Sequence, residues 1–168
     1  MIVVSDTSPI NYLVQIGQIE VLPSLFSKVL VPEAVMAELC ATGAPDAVSD
    51  WLASAPLWLE VRETSHLIMG IDLDRGEAEA IALAMDLGLT ALIDDRKGRE
   101  CAAALGIPVV GTIGILSRAA QLQMLDFEEC LRDLMATNFH LSKVHLHALL
   151  EAWAKDQARN MPERRDEE

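Results

Sequence analysis

Four acids on four separated segments are the residues in this chain best suited to act together. Asp6 ends the apolar run Ile2-Val3-Val4-Ser5, Glu38 sits in Pro32-Glu33-Ala34-Val35-Met36-Ala37-Glu38-Leu39, Glu77 follows Asp74-Arg75-Gly76, and Asp95 follows Leu92-Ile93-Asp94. Clustered carboxylates repel one another and raise each other's pKa unless they share a cation. A donor set made only of oxygen suits Mg²⁺ or Mn²⁺ rather than zinc. Such a cation supports in-line attack of water on a phosphodiester, because it activates the nucleophile and stabilises the charge developing on the phosphoryl and leaving oxygens. Arg75, Arg96, Lys97 and Arg99 flank the acidic motifs and can hold neighbouring phosphates.

The elements that must bring these acids together are strands alternating with helices. Residues 2 to 5 are consecutive apolar and β-branched positions closed by a serine, the pattern of a strand buried on both faces of a parallel sheet. Ser8-Pro9 predicts a helix cap followed by proline at the first helical position. Short helices over 10–16 and 19–26 follow, then a strand over 28–31. Pro32 opens the helix carrying Glu38, and a further amphipathic piece covers 47–53. A third strand is expected over 57–61, while 63–73 reads equally as short helix or loop. Asp74-Arg75-Gly76-Glu77 has the spacing of a capping box, and its alanine-rich helix runs to Leu87 before Gly88. A fourth strand over 90–93, a helix over 96–105 and a fifth strand over 108–110 complete the alternation. Beyond Thr112 only helices are expected, over 113–122, 127–136 and 144–158, before a charged, frayed tail from Pro162.

This order predicts an α/β fold, with a mainly parallel sheet of about five strands between helical layers. In such a sheet the residues just past each strand's C-terminal end share one edge, where ligands bind. Asp6, Asp94-Asp95 and Thr112 all fall there. Each acid also has a plainer reading as a helix cap. Capping accounts for any one of them singly, and it does not account for their recurrence at one edge. Glu38 differs, because it lies inside its helix on the apolar side, where a charge is costly unless paired.

Composition narrows the class. At 168 residues and 51% hydrophobic, the chain forms a single domain with an aliphatic core, since only 4% of residues are aromatic. Three separated cysteines without a CxxC pair indicate neither disulfides nor a zinc knuckle, which fits a cytoplasmic protein. No signal peptide or membrane span is expected, because the first apolar run stops at Asp6. A net charge of -13 argues, taken alone, against nucleic acid as a partner. A bound divalent cation would reverse the local field.

Taken in order, Asp6-Thr7-Ser8, Val31 to Leu39, Arg75-Gly76-Glu77-Ala78-Glu79-Ala80-Ile81-Ala82-Leu83-Ala84 and Leu92 to Arg99 resemble the PIN-domain superfamily, in particular prokaryotic PIN-like proteins related to VapC-type toxins. The resemblance covers about residues 1 to 125, with 126–168 as a helical extension packed on the same domain. It implies an α/β/α sandwich and a Mg²⁺- or Mn²⁺-dependent ribonuclease, often the toxin of a toxin–antitoxin pair and a homodimer. The family's four acids fall on Asp6, Glu38, Glu77 and Asp95, with Asp6, Glu77 and Asp95 as metal ligands and the nearby hydroxyl on Ser8 or Thr7. Glu79 competes with Glu77, and Asp94 with Asp95. Chain geometry turns the members of each pair in different directions, and the spacing alone leaves the choice open.

Other signals carry less. His145 and His147 diverge on a helix, and Gly111-Thr112-Ile113-Gly114 is not a dinucleotide-binding turn. Trp51, Trp58 and Trp153, far from the acids in sequence, are expected in the core or at a partner contact. Two competing readings remain: a non-catalytic PIN-like interaction module, and a nuclease acting on structured DNA.

Overall fold

The structure is a computed structural model that describes residues 1–65, 68 and 72–160. Part of the ambiguous 63–73 stretch and the charged tail lie outside the described residues. Five strands, β1 (Ile2–Ser5), β2 (Lys28–Pro32), β3 (Leu59–Arg62), β4 (Thr90–Leu92) and β5 (Val109–Val110), form one sheet in the order β3-β2-β1-β4-β5. Every pairing is parallel. The central strand is therefore the N-terminal one, and Val3 and Val4 have no solvent exposure.

The chain lays strands to one side of β1 and then returns to the other side with β4. The strand order thus reverses between β1 and β4, and it is at such a switch point that an open α/β sheet leaves a crevice beyond its strand ends. The sheet continues to the lip of that crevice, where the Asp6 amide donates to the Leu92 carbonyl at 3.0 Å.

Helices cover both faces. On one, α1 (Thr7–Gln15), α2 (Val21–Leu25), α3 (Glu33–Leu39), α4 (Asp46–Leu52), α7 (Thr112–Gln121) and α8 (Phe127–Ala136) build an aliphatic core around Leu13, Leu22, Leu116 and Leu134. On the other, α5 (Arg75–Leu87) and α6 (Arg96–Ala104) pack Ile81, Ala84 and Ala102 against Val4, Ala91 and Ile93. The result is a three-layer α/β/α fold. The last helix, α9 (Lys143–Asn160), lays Leu146, Leu150 and Trp153 against the first core, with the Trp153 ring 4.6 Å from that of Phe127. Among the described residues no helix is long and apolar enough to cross a membrane.

Several boundaries differ from the sequence reading. The third strand begins at Leu59 rather than Leu57, whose side chain is fully exposed. More consequentially, α1 begins at Thr7, with Asp6 at the cap position (φ −76°, ψ 172°), so Ser8 lies inside the first turn. Pro9 is tolerated there because first-turn amides have no partner within the helix. Gly88 ends α5 as expected, in the left-handed conformation at φ 63°.

Candidate active site

Asp6, Glu38, Glu77 and Asp95 meet at the β1/β4 switch point. Asp6 is 3% exposed, and although it occupies the cap position of α1 its carboxylate makes no capping hydrogen bond. Burial pushes its pKa up from 3.8 to about 7, against a hydrogen bond from the Thr7 amide that lowers it; the charges of Asp74, Glu77 and Glu38 raise it further. Glu77 is also buried and raised to about 7, first by desolvation and then by Asp74, Asp95 and Glu38. The two acids are thus in each other's fields, and none of the described residues forms an ion pair with either.

Glu38 reaches this group from the last turn of α3, where a negative charge opposes the helix dipole. Two features hold it there. The Thr7 hydroxyl donates to its Oε2, and the Gly76 backbone lies so close that a Cβ at position 76 would stand 2.6 Å from Oε1. The hydroxyl in the crevice therefore comes from Thr7, while Ser8 is a half-buried residue of the next position. Asp95 is exposed and caps α6, with Oδ1 accepting from the Lys97 amide at 2.7 Å and the Gly98 amide at 3.1 Å.

A fifth acid, Asp74, stands at the site beyond the four that the sequence points to. Asp74 caps α5 in a complete capping box: its Oδ1 accepts from the Glu77 amide at 2.8 Å, while its own amide donates to Glu77 Oε2 at 3.3 Å. It is also the leading charge acting on both Asp6 and Glu77. The capping-box spacing was the available signal; it accounted for the backbone role and hid the second one.

The two competing acids are engaged elsewhere. Glu79, 5% exposed, accepts from the Ala34 amide at 3.2 Å and from Arg75 Nε at 2.7 Å, which ties the start of α3 to α5. Asp94 accepts from the Thr112 amide at 2.7 Å and its hydroxyl at 2.6 Å, securing the start of α7. Burial raises the Asp94 pKa, while these bonds and the Arg99 charge pull it down.

The four bases divide as well. Lys97 pairs with exposed Asp72 at 2.7 Å and feels Asp95 and Glu77, which places it at the crevice rim. Arg75 is held through Nε by Glu79 and is otherwise exposed. Arg96 pairs with Glu100 along the exposed side of α6. Arg99 donates to the Ile93 carbonyl at 3.2 Å and lies beside Asp94.

Asp6, Glu38, Asp74, Glu77 and Asp95 offer only hard oxygen donors, the chemistry that Mg²⁺ and Mn²⁺ prefer. Among the described residues no three of them are drawn close enough to form a closed cation site.

The chain matches the family model DUF3368, a PIN domain, over residues 2–155. It therefore belongs to the PIN-domain family, whose members are generally nucleases and typically use divalent metal ions. No curated protein matches it. Among solved structures it is similar to a PilT N-terminus domain protein from the hyperthermophilic archaeon Sulfolobus solfataricus P2. The two share 20% identity over 84% of this chain and 100% of that one, with a TM-score of 0.49.

Proposed function

We infer that this protein is a metal-dependent endoribonuclease that hydrolyses RNA phosphodiesters, with Mg²⁺ or Mn²⁺ held by Asp6, Glu77 and Asp95 and with Glu38 completing the catalytic set. The observation that carries this reading is a buried aspartate with no cationic partner among the described residues, in the field of carboxylates from two other segments, Asp74 and Glu77 at the start of α5 and Glu38 on α3. Such a group is costly to ionise alone and becomes favourable when a cation is shared.

A divalent ion in the crevice would supply an activated water and stabilise charge on the phosphoryl oxygens. The chain's own residues do the rest. Thr7 orients Glu38 toward the crevice, Asp74 fixes the first turn of α5 so that Glu77 faces Asp6, and the Lys97 and Gly98 amides hold Asp95. Lys97, with its companions Arg75, Arg96 and Arg99, receives phosphates flanking the scissile one; against a net charge of -13 that attraction must be local.

The resemblance to toxins supports the further reading that this is the toxin of a toxin–antitoxin pair, working in the cytoplasm as a homodimer. A short gene directly beside this one, whose product co-purifies with it, is the expected companion. The deciding experiment is cleavage of an RNA panel with Mn²⁺, Mg²⁺ or chelator. Asp6→Asn and Asp95→Asn should each lose roughly 100-fold or more in rate while keeping the native circular dichroism spectrum, as expected when a group acting on the transition state is removed. Full activity in both pure variants would overturn the assignment.

One observation favours a second reading, a non-catalytic interaction module. Asp74, Glu77 and Asp95 all serve helix caps, and no closed cation site exists among the described residues. Calorimetry separates the two, because absence of Mn²⁺ binding at millimolar concentration would favour the module.

A further inference from the structure

Asp94 and Asp95 are adjacent, yet they serve different spaces. Asp95 belongs to the carboxylate crevice, whereas Asp94 lines a cavity of about 690 Å³ on the other side, between the β5 edge with α7 and the inner side of α9. Its walls are aliphatic and aromatic, with Val110, Ile113, Phe139, Leu149 and Trp153 among the lining residues. Polar groups are few: Ser117 from α7, His140 from the segment before α9 and Asp156 from α9. Among the described residues Arg99 is the only lysine or arginine on the lining.

The local geometry keeps this space open and anchored. Thr112 ties Asp94 to the start of α7 by two hydrogen bonds. A Cβ on Gly111 would stand 2.6 Å from an Arg99 Nη and 2.9 Å from Asp94 Oδ1, so the bare backbone here lets both side chains reach the cavity mouth. Phe139 is set edge-on to Tyr12 with centroids 5.0 Å apart, and Trp153 leans on Phe127. Both rings are braced on one side and lie on the cavity wall.

We propose that this cavity is a nucleotide subsite: it takes one unstacked base of the RNA strand between the aromatic and aliphatic walls, with Arg99 holding that nucleotide's phosphate. The proposal rests on the ribonuclease reading, and it adds where the strand is gripped next to the scissile phosphate. Three features favour a base over an apolar side chain. The volume falls in the range of ligand pockets. Aromatic walls with a few hydrogen-bonding groups match how single-stranded RNA is bound, by stacking and edge contacts. Arg99 lies beside Asp94, whose chain neighbour Asp95 belongs to the crevice.

The test uses the full chain with Trp51→Phe and Trp58→Phe, two tryptophans that pack on each other and do not line the cavity, so that Trp153 reports alone. The four 5′-ribonucleoside monophosphates, titrated individually without metal, should quench Trp153 saturably for at least one base. Two variants fill the space from opposite walls, Ser117→Phe on α7 and Ala152→Tyr on α9. Each should weaken that binding about tenfold or more, and raise KM for a short RNA by a similar factor with kcat retained, the signature of lost uniform binding. Thermal melts identify a variant that has lost its fold, in which case the other decides. Absence of saturable quenching by all four nucleotides, or equal binding in a folded filling variant, overturns the proposal. If cleavage still depends on metal and Asp6, the nuclease reading survives that failure. Conversely, nucleotide binding that both fillings abolish in a chain that cleaves no RNA would keep the subsite and sink the nuclease.

Discussion

Two pairs of buried or half-buried acids behave as opposites. Glu79 and Asp94 are matched to donors: Glu79 has an amide and an arginine, and Asp94 has an amide and a hydroxyl. Asp6 and Glu77, on neighbouring elements, are surrounded by like charge and raised to about 7. The first pair fastens helices, α3 to α5 and β4 to α7. The second pair gains nothing for the metal-free fold from being ionised. The difference shows that burial of an acid is not by itself a sign of function; what separates the groups is whether the chain supplies the counter-charge.

Breaking the fastened pair should cost the most stability. Asp94→Ala strands the Thr112 amide and hydroxyl, and a loss of about 2–3 kcal/mol is expected in urea unfolding, because abandoned buried donors carry their full desolvation cost. Asp95→Ala removes only an exposed cap, worth about 1 kcal/mol, yet should abolish cleavage.

The pH response should be next in size. The folded chain holds the Asp6 proton more tightly than the unfolded chain does, so the stability linked to it is full below about pH 4 and is lost as pH rises toward about 7. Metal-free unfolding free energy should therefore fall by about 1–3 kcal/mol between about pH 5.5 and pH 8, an order-of-magnitude figure from 1.36 kcal/mol per pKa unit. A metal-free protein that gains stability over that range would contradict the assignment of Asp6 as an unpaired buried acid.

Glu77 and Glu79 should then respond with opposite sign. At about pH 8 Glu79→Gln loses about 1 kcal/mol, because a charged acceptor between Arg75 and Ala34 becomes neutral, whereas Glu77→Gln leaves stability equal or higher. Chemical denaturation of both variants reads the contrast directly.

The smallest effect on stability belongs to Gly76→Ala. Alanine suits the α5 backbone, so the fold should change by less than about 0.5 kcal/mol. Its Cβ displaces the Glu38 carboxylate, and Mn²⁺ affinity measured by calorimetry should drop several-fold.

Much of this contrast was legible in the chain, and the reasons are local. Apolar runs stopping at Asp6 and Asp94, and alanine-rich periodicity after Glu77, carry the sheet edge and the helix that faces it. The choice between Glu77 and Glu79 was not legible, since it depends on α3 ending its approach with the Ala34 amide against Glu79. Ser-Pro commonly opens a helix and so points to Ser8 as the α1 cap; here the extended backbone stops one residue past β1, and the cap position falls on Asp6 itself. The freedom of the Asp6 carboxylate thus rests on its orientation into the crevice rather than on Ser8 relieving it. Asp74 was readable as a cap, and only the fold brings that cap beside Asp6.

The central claim is that the crevice acids are arranged for a divalent cation, and thermal unfolding at about pH 8 of the native chain and Asp6→Asn, each with and without millimolar Mn²⁺, tests it most directly. The account predicts that without metal Asp6→Asn melts higher than the native chain, and that Mn²⁺ raises the melting temperature of the native chain only. A native chain that melts higher than Asp6→Asn without metal, together with equal responses of the two to Mn²⁺, would contradict it.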